Sequence, residues 1–90
     1  MTLYRFGFKH ESATELAKQA ARAESMIGIH GVSVRSKASF PAPSAPRLEV
    51  EKHFPVHKTG KDPCHYTIEL PKPVSDEVAE TFNNLFRGKE

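Results

Sequence analysis

The chain has no tryptophan, one cysteine, no long apolar run and little charge imbalance, with 13 Lys and Arg against 11 Asp and Glu. Each shortage excludes something. Cys64 alone cannot close an internal disulfide, and no paired-Cys metal spacing exists, so nothing in the sequence calls for an oxidising compartment. No segment approaches the roughly 18 apolar residues that span a bilayer. The opening MTLYRF has neither the apolar core nor the small-residue cleavage site of an export signal. The expected location is therefore the cytoplasm, reached either directly or by delivery to a target cell within a larger exported protein. A net charge of +2, which five histidines can raise in mild acid, is a weak bias toward anionic partners. It falls far short of the charge of an obligate nucleic-acid binder. Ninety residues make one domain, 1–90, with a single small core.

The apolar pattern predicts an α+β fold, a four-stranded antiparallel sheet with helices packed on one face, in the order β-α-β-β-β-α. Residues 3–9 alternate, with Tyr4, Phe6 and Phe8 on one face and Arg5, Gly7 and Lys9 on the other. Ser12 and Glu15 have capping-box spacing ahead of a helix bearing Leu16, Ala20, Ala23 and Ile27, which Gly28 is placed to end. Residues 29–37 return to period two, with Val32 and Val34 inward and Ser33 and Arg35 outward. Residues 38–46 carry three of the seven prolines and read as an extended loop, because proline has no N–H to give a ladder. Two further strands follow at 47–54 and 65–70, joined by a loop over 55–63 expected to be mobile. Ser75 caps a last helix with Asp76 and Glu77 in its first turn and an apolar stripe of Val78, Ala79, Phe82, Leu85 and Phe86. That stripe reads as core.

The pairing of 47–54 with 65–70 gives the chemical expectation. Alternation in RLEVEKHF sends Leu48, Val50 and Phe54 inward and Arg47, Glu49, Glu51 and His53 outward. In HYTIEL it sends Tyr66, Ile68 and Leu70 inward and His65, Thr67 and Glu69 outward. One open face would then gather His53, His65, Glu51 and Glu69 as candidate catalytic groups, with Arg35, Arg5, Lys52 and Thr67 as substrate contacts. Cleavage of RNA without a metal requires a base for the 2′-hydroxyl proton, an acid for the leaving 5′-oxygen and cations for the phosphorane, all of which this set can supply. The same alternation is also the ordinary pattern of a sheet with one wet side.

Other constellations carry less. His53, His57, Cys64 and His65 are potential zinc ligands, but their spacing matches no standard site, and Cys64 and His65, adjacent on a strand, point to opposite faces. No metal or cofactor is expected. His65 to Ile68 fits the His-apolar-Thr-apolar element of two-histidine phosphodiesterases, but the second copy fails, since in residues 30–33 the hydroxyl comes three positions after His30 instead of two. The PxxP at 43–46 reads better as linker than as ligand.

With this element order, and with basic, His and Glu residues on the open sheet face, the chain resembles the small bacterial toxin ribonucleases of the RelE-like and barnase-related group. A second resemblance is to HicA-like toxins, in which a strand carries the catalytic histidine, here His53 in the strand expected at 47–54. Either resemblance implies RNA as substrate, no cofactor, and a cognate antitoxin or immunity protein as partner. A homodimer through an exposed edge strand is a further expectation. The competing reading is a non-enzymatic protein-interaction module, an adaptor or immunity-type protein, that uses the open face.

Overall fold

Helix α1 (Ala13–Ile27) begins and ends where its capping residues lie. The Ser12 hydroxyl accepts the Glu15 N–H at 3.1 Å, and the Glu15 carboxylate accepts the Ser12 N–H at 2.9 Å, so both partners of the capping box are in place. At the other end Gly28 takes the left-handed conformation, φ 78°, and gives its N–H to the Glu24 carbonyl at 2.9 Å. Leu16 and Ala20 form the buried stripe between these caps.

This is a computed structural model, and it describes residues 1–5, 11–39 and 42–86. Besides α1 the chain forms β1 (Thr2–Tyr4), β2 (Gly31–Arg35), β3 (Ser44–Pro46), α2 (Arg47–Glu51), β4 (Val56–Lys58), β5 (His65–Glu69) and α3 (Asp76–Leu85). The α+β class and the antiparallel sheet are as expected. The strand count and the element order are not: among the described residues the chain runs β-α-β-β-α-β-β-α, and its five strands lie in the sheet as β3-β1-β2-β5-β4.

Three local readings are corrected. Residues 47–54, expected as a strand, begin with helix α2 and end in a turn. Their burial follows helical spacing, with Val50 and Phe54, four apart, 0% and 5% exposed while Leu48 is 75% exposed. Arg47 reaches Glu51 at 3.1 Å and Lys52 reaches Glu49 at 3.1 Å, two pairs that only a helical turn aligns. The proline-rich segment, expected as a loop, ends in β3, which lies at a sheet edge, where a proline needs no donor on its outer side. Its carbonyls still accept, and Pro43 O takes the Arg5 N–H at 3.0 Å. The expected loop over 55–63 contains β4, whose Val56, His57 and Lys58 are paired with Ile68, Thr67 and Tyr66.

The core is one cluster. Val32, Val34, Tyr66 and Ile68 on one sheet face meet Leu16 of α1, Phe82 and Phe86 at α3, and Val50 and Phe54 at α2. The apolar stripe of the last helix is therefore core, with Phe82 and Phe86 both 0% exposed and their rings 5.1 Å apart. Gly31 is required by the closeness of β2 to β5, since a Cβ there would lie 2.1 Å from the Ile68 carbonyl oxygen. In β1 the expected faces are exchanged. Leu3 is buried, Arg5 turns toward the helices, and Tyr4 shares the open face with its partner Arg35. Phe6, Gly7, Phe8 and Lys9, and the Arg87 to Lys89 stretch expected to close the last helix, lie outside the described residues.

Candidate functional site

The open sheet face is assembled by three adjacent strands. The register places Ser33 opposite Thr67 and Thr67 opposite His57, with Arg35 opposite His65 and Gly31 opposite Glu69. Period two then puts Ser33, Arg35, His57, His65, Thr67 and Glu69 on the same side. His65, Thr67 and Glu69 thus stand on the face expected of them. His57 joins them from β4, a strand that sequence reading assigned to a loop.

The remaining expected residues are elsewhere. Glu51, at the end of α2, pairs with Arg47, and Lys52, just past it, pairs with Glu49, both away from the sheet face. His53 is exposed on the following turn, where it lines a shallow depression with Pro71, Ser75, Glu77 and Thr81. It does not stand on the sheet face with His65. Arg5, expected as a phosphate contact, is 8% exposed and faces inward. Its guanidinium donates to the Ser33 carbonyl at 2.9 Å, pairs with Glu11 at 3.1 Å and with Gln19, and lies 5.8 Å over the Phe82 ring. Asn83 completes this buried knot, accepting the Glu11 N–H and donating to the Glu11 carbonyl. Arg5 binds helix to sheet, and what it leaves exposed lines a depression with Gln19 and Arg22 of α1, away from His57 and His65.

Two polar groupings mark the open face. At its Glu69 end, the His57 Nε2 lies 2.7 Å from Glu69 Oε1, and His30, the residue just before β2, has its Nδ1 3.0 Å from the Leu70 carbonyl. His30, His57, Glu69 and Lys72 line one depression of about 340 Å³. Lys72 is paired across it with Glu24 at 3.0 Å. Because a carbonyl and a carboxylate can only accept, His30 Nδ1 and His57 Nε2 each carry a proton. The second nitrogen of each ring, His30 Nε2 and His57 Nδ1, is then the one that can exchange a proton.

At the opposite end, His65 is held by Thr59 and Ser33. Its Nδ1 lies 2.9 Å from the Thr59 hydroxyl and 3.2 Å from the Thr59 carbonyl, and its Nε2 lies 3.2 Å from Ser33 Oγ. Thr59 Oγ1 also bonds the Thr67 hydroxyl at 2.8 Å, which leaves Thr67 only 1% exposed and covered from above. Arg35 pairs with Asp62 of the β4–β5 turn. Asp62 also accepts the Cys64 N–H at 2.8 Å, and this bond, with the Arg35 guanidinium, holds its carboxyl below the ordinary value. Lys58 Nζ donates to the Asp62 carbonyl at 2.8 Å. The turn over 59–64 is thus fastened to the sheet at several points.

His57, His30, Ser33 and Thr59 were not assigned to a site by sequence reading. His57 enters that reading only as a potential zinc ligand, in a proline-flanked segment too short to show a period, and His30 with Ser33 only as a phosphodiesterase element whose spacing fails. Among the described residues no group of three or more His, Cys, Asp or Glu side chains is arranged to hold a metal ion, and no helix is long and apolar enough to cross a membrane. Comparison with protein-family models, with curated proteins and with solved structures found no match to this chain.

Proposed function

We propose that the chain cleaves RNA without a metal, at the depression lined by His30, His57, Glu69 and Lys72. The observation that carries this reading is the 2.7 Å contact of His57 with Glu69 beside a second histidine in the same hollow. Glu69 orients the His57 ring and fixes the proton on Nε2, which leaves the Nδ1 lone pair to act as base. His57 takes the proton of the 2′-hydroxyl. The 2′-oxygen attacks phosphorus, the bond to the 5′-oxygen breaks, and that oxygen takes its proton from His30 Nε2. The products are a 2′,3′-cyclic phosphate and a free 5′-hydroxyl. The Leu70 carbonyl accepts from His30 in both protonation states of the ring, so it keeps the acid in place throughout. Lys72 lends positive charge to the phosphorane when it leaves Glu24.

The substrate is RNA because the 2′-hydroxyl supplies the nucleophile, and the two histidines supply only proton transfer. A growth-arresting activity restrained by a cognate inhibitor protein belongs to the same proposal. The test is incubation of the purified chain with end-labelled single-stranded RNA in EDTA, with product ends read by mass spectrometry. Cyclic phosphate termini formed in EDTA support the reading. Intact RNA beside folded protein removes it.

The alternative, a protein-interaction module on the same face, is favoured by one observation. Arg35, the cross-strand partner of His65 on that face, is neutralised by Asp62, so this end of the face is balanced in charge. Its sign would be tolerance of substitution at His30 and His57, with partner binding lost on charge reversal at Arg35 or Glu69.

A further inference from the structure

We propose that Ser33 is a nucleophile activated by His65, a site for acylation by activated esters that is separate from the depression at the other end of the face. Ser33 Oγ lies 3.2 Å from His65 Nε2, and the opposite ring nitrogen, Nδ1, lies 3.2 Å from the Thr59 carbonyl and 2.9 Å from the Thr59 hydroxyl. A serine on one nitrogen and an oxygen acceptor on the other is the arrangement by which a histidine is made a base toward a hydroxyl. The carbonyl decides the tautomer. It can only accept, so it favours the proton on Nδ1 and leaves the Nε2 lone pair facing Ser33.

The surroundings keep this arrangement in place. Gly60, at φ 74°, lets the turn close over the imidazole, and a Cβ there would sit 3.5 Å from His65 Nδ1. Asp62 fastens the same turn through Arg35 and the Cys64 N–H. Ser33 itself is exposed, so an ester can reach it.

The step balances without a further reactant. Ser33 Oγ bonds to the carbonyl carbon, its proton passes to His65 Nε2, the bond to the leaving oxygen breaks, and that oxygen takes the proton from His65. The acyl group remains on Ser33. Its release by water is expected to be slow. Ser33 is in mid-strand, where backbone N–H groups lie in the plane of the sheet and cannot converge on an oxyanion above it. The outcome is one covalent modification and little turnover.

The experiment is treatment of the wild-type chain with p-nitrophenyl acetate, followed by intact mass and peptide mapping over time. Ser33 is expected to gain an acetyl group first, well ahead of the exposed Ser25 and Ser39, and the rate at Ser33 is expected to fall by about 10²-fold or more in His65→Gln. The comparison among serines uses only the native protein, so it holds even where His65→Gln disturbs the turn. Labelling of Ser33 no faster than Ser25 and Ser39 overturns the proposal. So does undiminished Ser33 labelling in His65→Gln. Neither result bears on RNA cleavage.

Discussion

His57 and Glu69 meet diagonally across two strands. Thr67 is the Cα partner of His57, and Glu69 is the next residue on the same face, which brings Nε2 within 2.7 Å of Oε1. Both side chains keep access to water, being 40% and 47% exposed. A substrate can therefore reach the imidazole while the carboxylate holds it from behind. Glu69→Gln is expected to keep the fold and lower RNA cleavage by less than loss of His57 does, because the amide can still orient the ring but brings no charge to stabilise its cation. Cleavage rates under single-turnover conditions check this, and an unchanged rate would separate Glu69 from the chemistry.

Gly31→Ala tests the closeness of β2 and β5. With the Ile68 carbonyl oxygen 2.1 Å and the Glu69 Cα 3.0 Å from the added Cβ, both of them backbone atoms of β5, the strands must part. The expected loss is about 2 to 3 kcal/mol in urea unfolding. A midpoint equal to the wild type would mean that the register is wrong.

Leu48 and Val50 distinguish the helix at 47–51 from the strand that alternation suggests. A strand would bury both on one face, whereas α2 exposes Leu48 and buries Val50. Val50→Ala is expected to cost about 2 kcal/mol and Leu48→Ala less than about 0.5 kcal/mol. Similar losses at both positions would restore the strand.

Arg5→Ala is expected to destabilise the chain by about 3 to 5 kcal/mol, because it leaves the Glu11 carboxylate, 16% exposed, without its cation. Chemical denaturation reads this directly. A variant as stable as the wild type would free Arg5 for the substrate role its sequence position first suggests.

Asp62 gives a pH dependence of definite sign. Its carboxyl titrates below the ordinary value of 3.8 because the Cys64 N–H and Arg35 favour the charged form. The stability it contributes is therefore complete above about 3.8 and is lost as pH falls through the lower folded value. The Cys64 amide is expected to keep its hydrogen-exchange protection, corrected for intrinsic rate, from neutral pH down to about 4, and to lose it below. In Asp62→Asn the protection should be reduced throughout. Loss beginning near pH 6 would point to a histidine as the controlling group.

Much of the frame was legible in local chemistry. Ser12 with Glu15, Gly28, and Ser75 with its acidic first turn each mark a helix end by satisfying orphan backbone groups, a need that exists before any tertiary contact forms. Val32, Val34, Tyr66 and Ile68 alternate in the strands that form the centre of the sheet. The segment 47–54 was not legible, because Leu48, Val50 and Phe54 satisfy period two while Val50 and Phe54 alone satisfy the helix. The choice rests on the contact of Phe54 with Phe82, whose rings lie 6.5 Å apart, and on leaving Leu48 in water. Three-residue β3 and β4 were hidden by flanking prolines that edge strands tolerate. With β4 went His57, and with the misread 47–54 came His53 as its substitute.

The most direct measurement is RNA cleavage by His57→Ala beside His53→Ala, each confirmed folded, under the conditions in which the wild-type chain acts. A fall of about 10² to 10⁴-fold in His57→Ala with wild-type rate in His53→Ala is the predicted result. Equal activity in the two variants, or loss confined to His53→Ala, would contradict the placement of the chemistry at the His57 and Glu69 pair.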